Sequence, residues 1–177
     1  MPLRSIEILI GEHRQVDKVL EELEGLIDEF LTNPEVPDAA KQALGKVVDF
    51  FAQDLILHIQ KEDQALFPAL EKFLPREQGP LAVMLHEHHE ITEAYRGLRE
   101  GVAVLDQHPA TNGPAAGRIR DHGRALIHYL RTHLFKEERV LFPFAEGHLS
   151  QEDDREIARR FEEIRANFLV GEPARQR

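Results

Sequence analysis

The stretch His58-Ile-Gln-Lys-Glu62-Asp-Gln-Ala-Leu-Phe67-Pro68 returns 75 residues later as His133-Leu-Phe-Lys-Glu137-Glu-Arg-Val-Leu-Phe142-Pro143. The same shift carries Glu12-His13-x-x-Val16 onto Glu87-His88-x-x-Ile91. Each half of the chain therefore offers a lone histidine, then a His and a Glu one helical turn apart. Four imidazoles and two carboxylates in two-fold arrangement can hold a pair of metal ions.

Working outward from these motifs, apolar residues recur at steps of three and four. The first helix reads from about Leu3 to Leu31, with a seam of Ile6, Leu9, His13, Val16, Leu20, Leu23, Ile27 and Phe30. Pro34 and Pro37 break it, and Asp38 is placed to cap a second helix reaching about Phe73. That helix has Leu44, Val48, Phe51, Leu55, His58, Glu62, Ala65 and Ala69 on its seam, and Pro68 should bend or loosen its last turns.

Pro80 suits a first helical position. The third helix follows, from about Leu81 to Asp106, with Met84, His88, Ile91, Tyr95, Leu98, Val102 and Leu105 on its seam. The fourth runs from about Ala115 to Glu146 through Ile119, Gly123, Leu126, Leu130, His133, Glu137, Val140 and Phe144. Gly147 reads as a stop. Ser150 to Asp153 resembles a capping box that opens a fifth helix with the stripe Ile157, Phe161, Ile164 and Phe168.

The expected architecture is all-α, an antiparallel up-down-up-down four-helix bundle with an extra C-terminal helix. Residues 1–149 form the bundle, 150–170 the accessory helix and 171–177 a loose tail. The fifth helix is expected across one flank or in a subunit contact, which leaves a homodimer open.

Composition narrows the function classes. A formal net charge of −10 argues against nucleic acid or an anionic membrane as the main partner. The absence of cysteine from these 177 residues excludes disulfides, thiolate nucleophiles and cysteine-held clusters within them. Apolar residues make up 42% of the chain, enough for a real core. With no apolar leader and no run of spanning length, the expected location is the cytoplasm.

All six candidates, His13, His58, Glu62, His88, His133 and Glu137, fall on seams. A buried carboxylate without a partner costs several kcal/mol. Two of them beside four imidazoles call for a compensating cation. At about 1.5 Å per residue, antiparallel packing brings all six to one end of the bundle. Glu62 and Glu137 could then bridge two ions. Mixed nitrogen and carboxylate donors suit iron, manganese or zinc, and two bridging carboxylates favour a redox pair of irons. Six protein ligands leave coordination positions open to O2, NO or peroxide.

These motifs resemble the hemerythrin-like, His-His-Glu cation-binding family. The resemblance covers roughly residues 5 to 147. It rests on Glu12-His13, on His58-x-x-x-Glu62 with Leu66-Phe67-Pro68, on Glu87-His88, and on His133-x-x-x-Glu137 with Leu141-Phe142-Pro143. It implies a non-haem di-iron centre. The chain departs from oxygen-carrying hemerythrins, which have His-x-x-x-His on the third helix where this chain has Met84 and His88. Their fourth helix places Asp five residues after a His, where this chain has Glu137 four after His133. The four-His, two-Glu set is similar instead to bacterial di-iron proteins of iron-centre repair and nitrosative stress, and to iron or oxygen sensors. The repair proteins generally carry a cysteine-bearing segment that these 177 residues lack.

Three functions compete: a di-iron protein that reacts with or senses O2, NO or peroxide or handles iron under stress, a reversible oxygen or iron store, and an interaction protein with a structural metal. Whether there is turnover stays open. Of the other histidines, His86, His89, His108, His128 and His148 read as surface residues, with His89 the rival to His88 if the register slips. His122 reads as a core histidine. Tyr95 is a candidate for contact with the ligands, and Asp17, Asp54 and Tyr129 are weaker ones. Glu12 and Glu87 read as flanking surface residues.

Overall fold

A computed structural model describes residues 2–30 and 33–171. Helix α1 spans Arg4–Glu29. Helix α2 is one rod over 38–70, interrupted by wide π turns at Phe51–Leu55 and Glu62–Leu66. Helix α3 spans Gly79–Ala103. Helix α4 covers 114–148 with a π turn at Glu137–Leu141, and α5 spans Gln151–Gly171. The described residues contain no strand, only an isolated bridge between Glu35 and Ala110.

The four long helices pack in a ring, α1 on α2, α2 on α3, α3 on α4 and α4 on α1. This is the expected up-down-up-down bundle. The two loops at its upper end are stitched together, Val36 N donating to Pro109 O (2.8 Å) and Thr111 N to Pro34 O (3.0 Å). At the lower end the chain turns through Gly79, whose φ of +67° suits glycine and precedes Pro80 on α3.

Local boundaries follow the sequence with instructive exceptions. Asp38 is not the cap of α2; Pro37 holds that position, and Asp38 lies in the first turn, where its charge meets the helix dipole and Lys41. The Ser150 box forms as read: Ser150 N donates to Asp153 Oδ2 (3.0 Å) and Asp153 N to Ser150 Oγ (3.1 Å). Val140, expected on the seam, is 57% exposed. The π turn begins at Glu137 and rotates everything beyond it, so Leu141, Phe142 and Ala145 face inward instead. The turn at Glu62 does the same for Leu66, Phe67 and Leu70. Both π turns precede a proline, Pro68 or Pro143. A proline in a regular α-helix loses a hydrogen bond and crowds the carbonyl four residues back, and a widened turn relieves both.

Helix α5 lies on α1 and α2 at the lower end. Its Ile157, Phe161 and Ile164 are buried with Leu9, Leu66 and Leu70. Its Asp154 caps α1 from 149 or more residues away in sequence, accepting from Arg4 N (2.8 Å), Ser5 N (2.9 Å) and Ser5 Oγ (2.6 Å). Leu3, at the N-cap position, has no side chain that could do so. Of the segment 171–177, expected to be loose, Gly171 instead ends α5 and 172–177 lie outside the described residues.

The core is split into two apolar clusters. The upper one runs from Val16 through Phe51, Ile91 and Leu130, and the lower one holds Leu9, Leu66, Met84 and Phe142. His13 lies between Leu9 and Val16 along α1, and His88 between Met84 and Ile91 along α3. The histidines and glutamates thus form a polar layer between two greasy ones.

Candidate metal centre

All six sequence candidates converge on that layer, each buried to 4% exposure or less. His13, His58, Glu62 and Glu137 offer one set of donor atoms, and Glu62, His88, His133 and Glu137 a second, the atoms of each set lying within 4.8 Å of one another. The two glutamates are common to both. Glu62 points Oε1 toward His58 Nε2 (3.5 Å) and Oε2 toward His88 Nε2 (3.2 Å). Glu137 points Oε1 toward His133 Nε2 (3.5 Å) and Oε2 toward His13 Nε2 (3.2 Å). Each carboxylate therefore sends one oxygen into each set.

The outer faces of the imidazoles are tied by a second ring of carboxylates. Glu12 on α1 accepts from His58 Nδ1 on α2 (2.8 Å), and Asp63 on α2 from His88 Nδ1 on α3 (2.8 Å). Glu87 on α3 accepts from His133 Nδ1 on α4 (3.0 Å), and Glu138 on α4 from His13 Nδ1 on α1 (2.8 Å). Each helix hands an acid to the histidine of the next, and the ring closes. An ionised carboxylate only accepts, so every Nδ1 carries a proton, and each imidazole in its neutral form turns its Nε2 lone pair inward. This is the arrangement that orients imidazoles for a metal and raises their basicity. Glu12 and Glu87, read from sequence as surface residues, are thus corrected. Their role is invisible in one helix because each serves a histidine on its neighbour, not the one beside it. Asp63 and Glu138 were missed, although the repeat marked them: both copies place an acid directly after the buried glutamate, Glu62 or Glu137.

Lys61 and Lys136, again equivalent in the repeat, ion-pair with Glu12 and Glu87. Phe67 stacks on His88 (centroids 5.5 Å, interplanar angle 9°), and Phe142 on His13 (5.3 Å, 25°). The Leu-Phe-Pro segments close the layer from below, each pressing a phenyl ring on a lone histidine.

Does this layer fit metal ions? Nε2 of His13 and of His58, and all four oxygens of Glu62 and Glu137, have no hydrogen-bond partner although buried. Orphaned acceptors of this kind are costly. His88 Nε2 and His133 Nε2 stand 3.1 Å apart, two lone pairs facing each other once both Nδ1 atoms are protonated. A cation between these atoms would resolve both problems at once. The inner and outer carboxylates less the two lysines give a formal charge of −4, which matches two divalent ions. Without a cation, burial and the charge of Glu137 push the Glu62 carboxyl well above the usual range. Burial also opposes ionisation of Glu137, but the surrounding imidazoles, His133 foremost, hold it well below that range. Burial likewise disfavours a charge on His13, yet Glu137 outweighs it and raises this imidazole to about 9.

The profile of the Hemerythrin HHE cation binding domain matches residues 4–145. The chain belongs to the hemerythrin HHE cation-binding family. Its curated relatives include two proteins named iron-sulfur cluster repair protein YtfE. That of Edwardsiella ictaluri is 33% identical over 111 residues, covering 60% of this chain and 48% of the relative. That of Escherichia coli O157:H7 is 29% identical over 114 residues, covering 63% and 49%. The chain spans about half the length of these relatives. Among the described residues, no helix is long and apolar enough to cross a membrane.

The remaining candidates stand apart from the layer. His86, His89, His108, His128 and His148 are exposed, as are Asp17 and Asp54. His122 is half-buried against Gly97 between α4 and α3, and so is less enclosed than a core histidine. Tyr95 belongs to the upper core, its ring edge-on to Phe51 (6.3 Å) and under the Arg99 guanidinium. Tyr129 is partly buried and lines a surface crevice with His122. His88, not His89, faces the site, so the register did not slip.

Proposed function

We propose that this protein holds two iron ions and uses them to sense or react with O2, NO or peroxide, or to handle iron under oxidative or nitrosative stress. The observation that carries this reading is the pair of four-donor sets sharing Glu62 and Glu137. His13, His58, Glu62 and Glu137 would hold one ion, and Glu62, His88, His133 and Glu137 the other. Iron bound there would supply redox chemistry and open coordination positions for a diatomic or peroxide ligand.

The chain's own residues set the conditions. The acid ring fixes each imidazole's tautomer and direction. Phe67 and Phe142 keep water from the lower face. Lys61 and Lys136 temper the negative field of Glu12 and Glu87. Met84, buried in the lower cluster, offers an apolar thioether where an oxygen carrier would have a further histidine, which favours stress chemistry over oxygen transport. The repair role named in the two YtfE relatives agrees with this reading. Since these 177 residues include no cysteine, any thiolate needed for cluster work must come from elsewhere.

The test is anaerobic loading with Fe(II), metal counting, then visible spectroscopy through cycles of O2, NO and peroxide. Two irons per chain with an oxidation or nitrosyl band would support the proposal. A fully reversible oxygen band would favour carriage instead. Retention of zinc on purification, with no spectral response after iron loading, would overturn the redox reading.

A further inference from the structure

The internal repeat leaves one seat filled and its equivalent open. A groove of about 290 Å³ between α3 and α4 is lined by Pro80, Val83, Met84, Lys136, Val140 and Leu141. Shifted back by the 75-residue repeat, these become Ser5, Ile8, Leu9, Lys61, Ala65 and Leu66 on α1 and α2. That is where α5 lies: Asp154 binds Ser5, Phe161 lies over the Lys61 ammonium (5.7 Å), and Leu9, Ala65 and Leu66 are buried with Ile157 and Ile164. The two seats differ in cover. The Lys61 side chain is 7% exposed and that of Lys136 is 39% exposed. Ala65 is buried, while Val83 and Val140 are among the most exposed apolar residues.

The start of α3 does not repeat the acid clasp, because Pro80 stands where Ser5 does and offers neither an N–H nor a hydroxyl. Asp154 of α5 caps α1, whereas Gln78 at the N-cap of α3 makes no side-chain cap bond. The apolar channel of the α5 seat and its lysine therefore recur where none of the described elements covers them.

We propose that the α3–α4 groove docks an amphipathic helix of a partner protein in the manner of α5. Such a helix would carry apolar residues at steps of three and four and an aromatic ring level with Lys136. A second copy of this chain fits less well. A self-complementary contact would set one concave groove against another. The copy's own α5 is held by its clasp on α1. This inference is independent of the metal chemistry.

The test titrates the whole metal-loaded 177-residue chain into a fluorescent peptide carrying residues 151–170, held helical by lactam bridges on its exposed face. Saturable binding is expected, weakened about tenfold or more by Val140→Asp in the protein, since a carboxylate would then enter the apolar channel. Phe161→Ala in the peptide should weaken it too. Because Val140 is on the surface, its variant should keep the helical content and metal stoichiometry of the parent. No binding up to about 1 mM overturns the proposal. So does binding indifferent to Val140→Asp, which would mean exchange at the seat of α5. Concentration-dependent self-association abolished by Val140→Asp would assign the groove to a second copy and overturn it equally.

Discussion

Glu62 and Glu137 enter one buried layer from α2 and α4, and each divides its two oxygens between the same two pairs of histidines. Neither belongs to one half of the protein. The consequence is a conflict between stability and ligand binding. Two carboxylates that share a dry layer repel each other when nothing lies between them, and a cation held between them would turn that repulsion into attraction.

This predicts opposite effects in the two states. Glu62→Gln removes a buried acid whose ionisation the fold resists. Metal-free Glu62→Gln should match or exceed the parent's thermal midpoint, by about 2–4 °C for each kcal/mol of repulsion relieved. With metal, the order should reverse and stoichiometry should fall below two. Calorimetry of both states checks this. A variant that loses stability equally in both would mean that Glu62 is structural and not a shared donor.

The acid ring makes a second prediction. Glu12→Gln and Glu87→Gln keep the shape but weaken the acceptor facing Nδ1 of His58 and His133. Each should lower metal affinity by about 10–100-fold with little change in helical content. Asp17→Asn, exposed little more than one turn beyond Glu12 on α1, should change it by about twofold or less. Competition against a chelator of known affinity reads all three.

The clasp between α5 and α1 can be broken alone. Asp154→Ala leaves Arg4 N, Ser5 N and Ser5 Oγ without their buried acceptor. The expected cost is about 1–3 kcal/mol, or roughly 2–4 °C in thermal midpoint per kcal/mol. Metal stoichiometry should hold, because Asp154 is outside both donor sets. Denaturant melts with metal analysis would show it.

Asp153, one residue earlier, supplies a pH-dependent tie. Lys72 first, then Ser150, lower its carboxyl from 3.8 to about 2. A depressed folded-state value means stability that is present above pH 3.8 and is lost as the pH falls through about 2. The difference in thermal midpoint between the parent and Asp153→Asn should therefore be full at pH 6, shrink below pH 3.8 and vanish near pH 2. A difference that stays constant across this range would rule out the ionised carboxylate as its source.

Gly97 tests the close contact of α3 with α4. A Cβ there would lie 2.3 Å from His122 Cγ. Gly97→Ala should cost about 1–3 kcal/mol by overpacking, and His122→Ala in the same chain should recover most of it. Additive losses in the double variant would show that the contact is not the cause.

By itself, the sequence determined the helices, their order and the six inward donors. The reason is that an antiparallel bundle buries residues at fixed steps of three and four, and this chain writes that period twice with the same polar exceptions. Departures such as Asp38 and Val140 have a local cause, since caps and π turns depend on backbone geometry that periodicity does not encode. Only the tertiary structure decided what Glu12, Asp63, Glu87 and Glu138 do, because each acts on a histidine from the next helix and the pairing exists only once the ring has closed. It also decided that α5 clasps α1 and covers one of two equivalent grooves. The repeat makes those grooves alike, and a single fifth helix can fill only one of them.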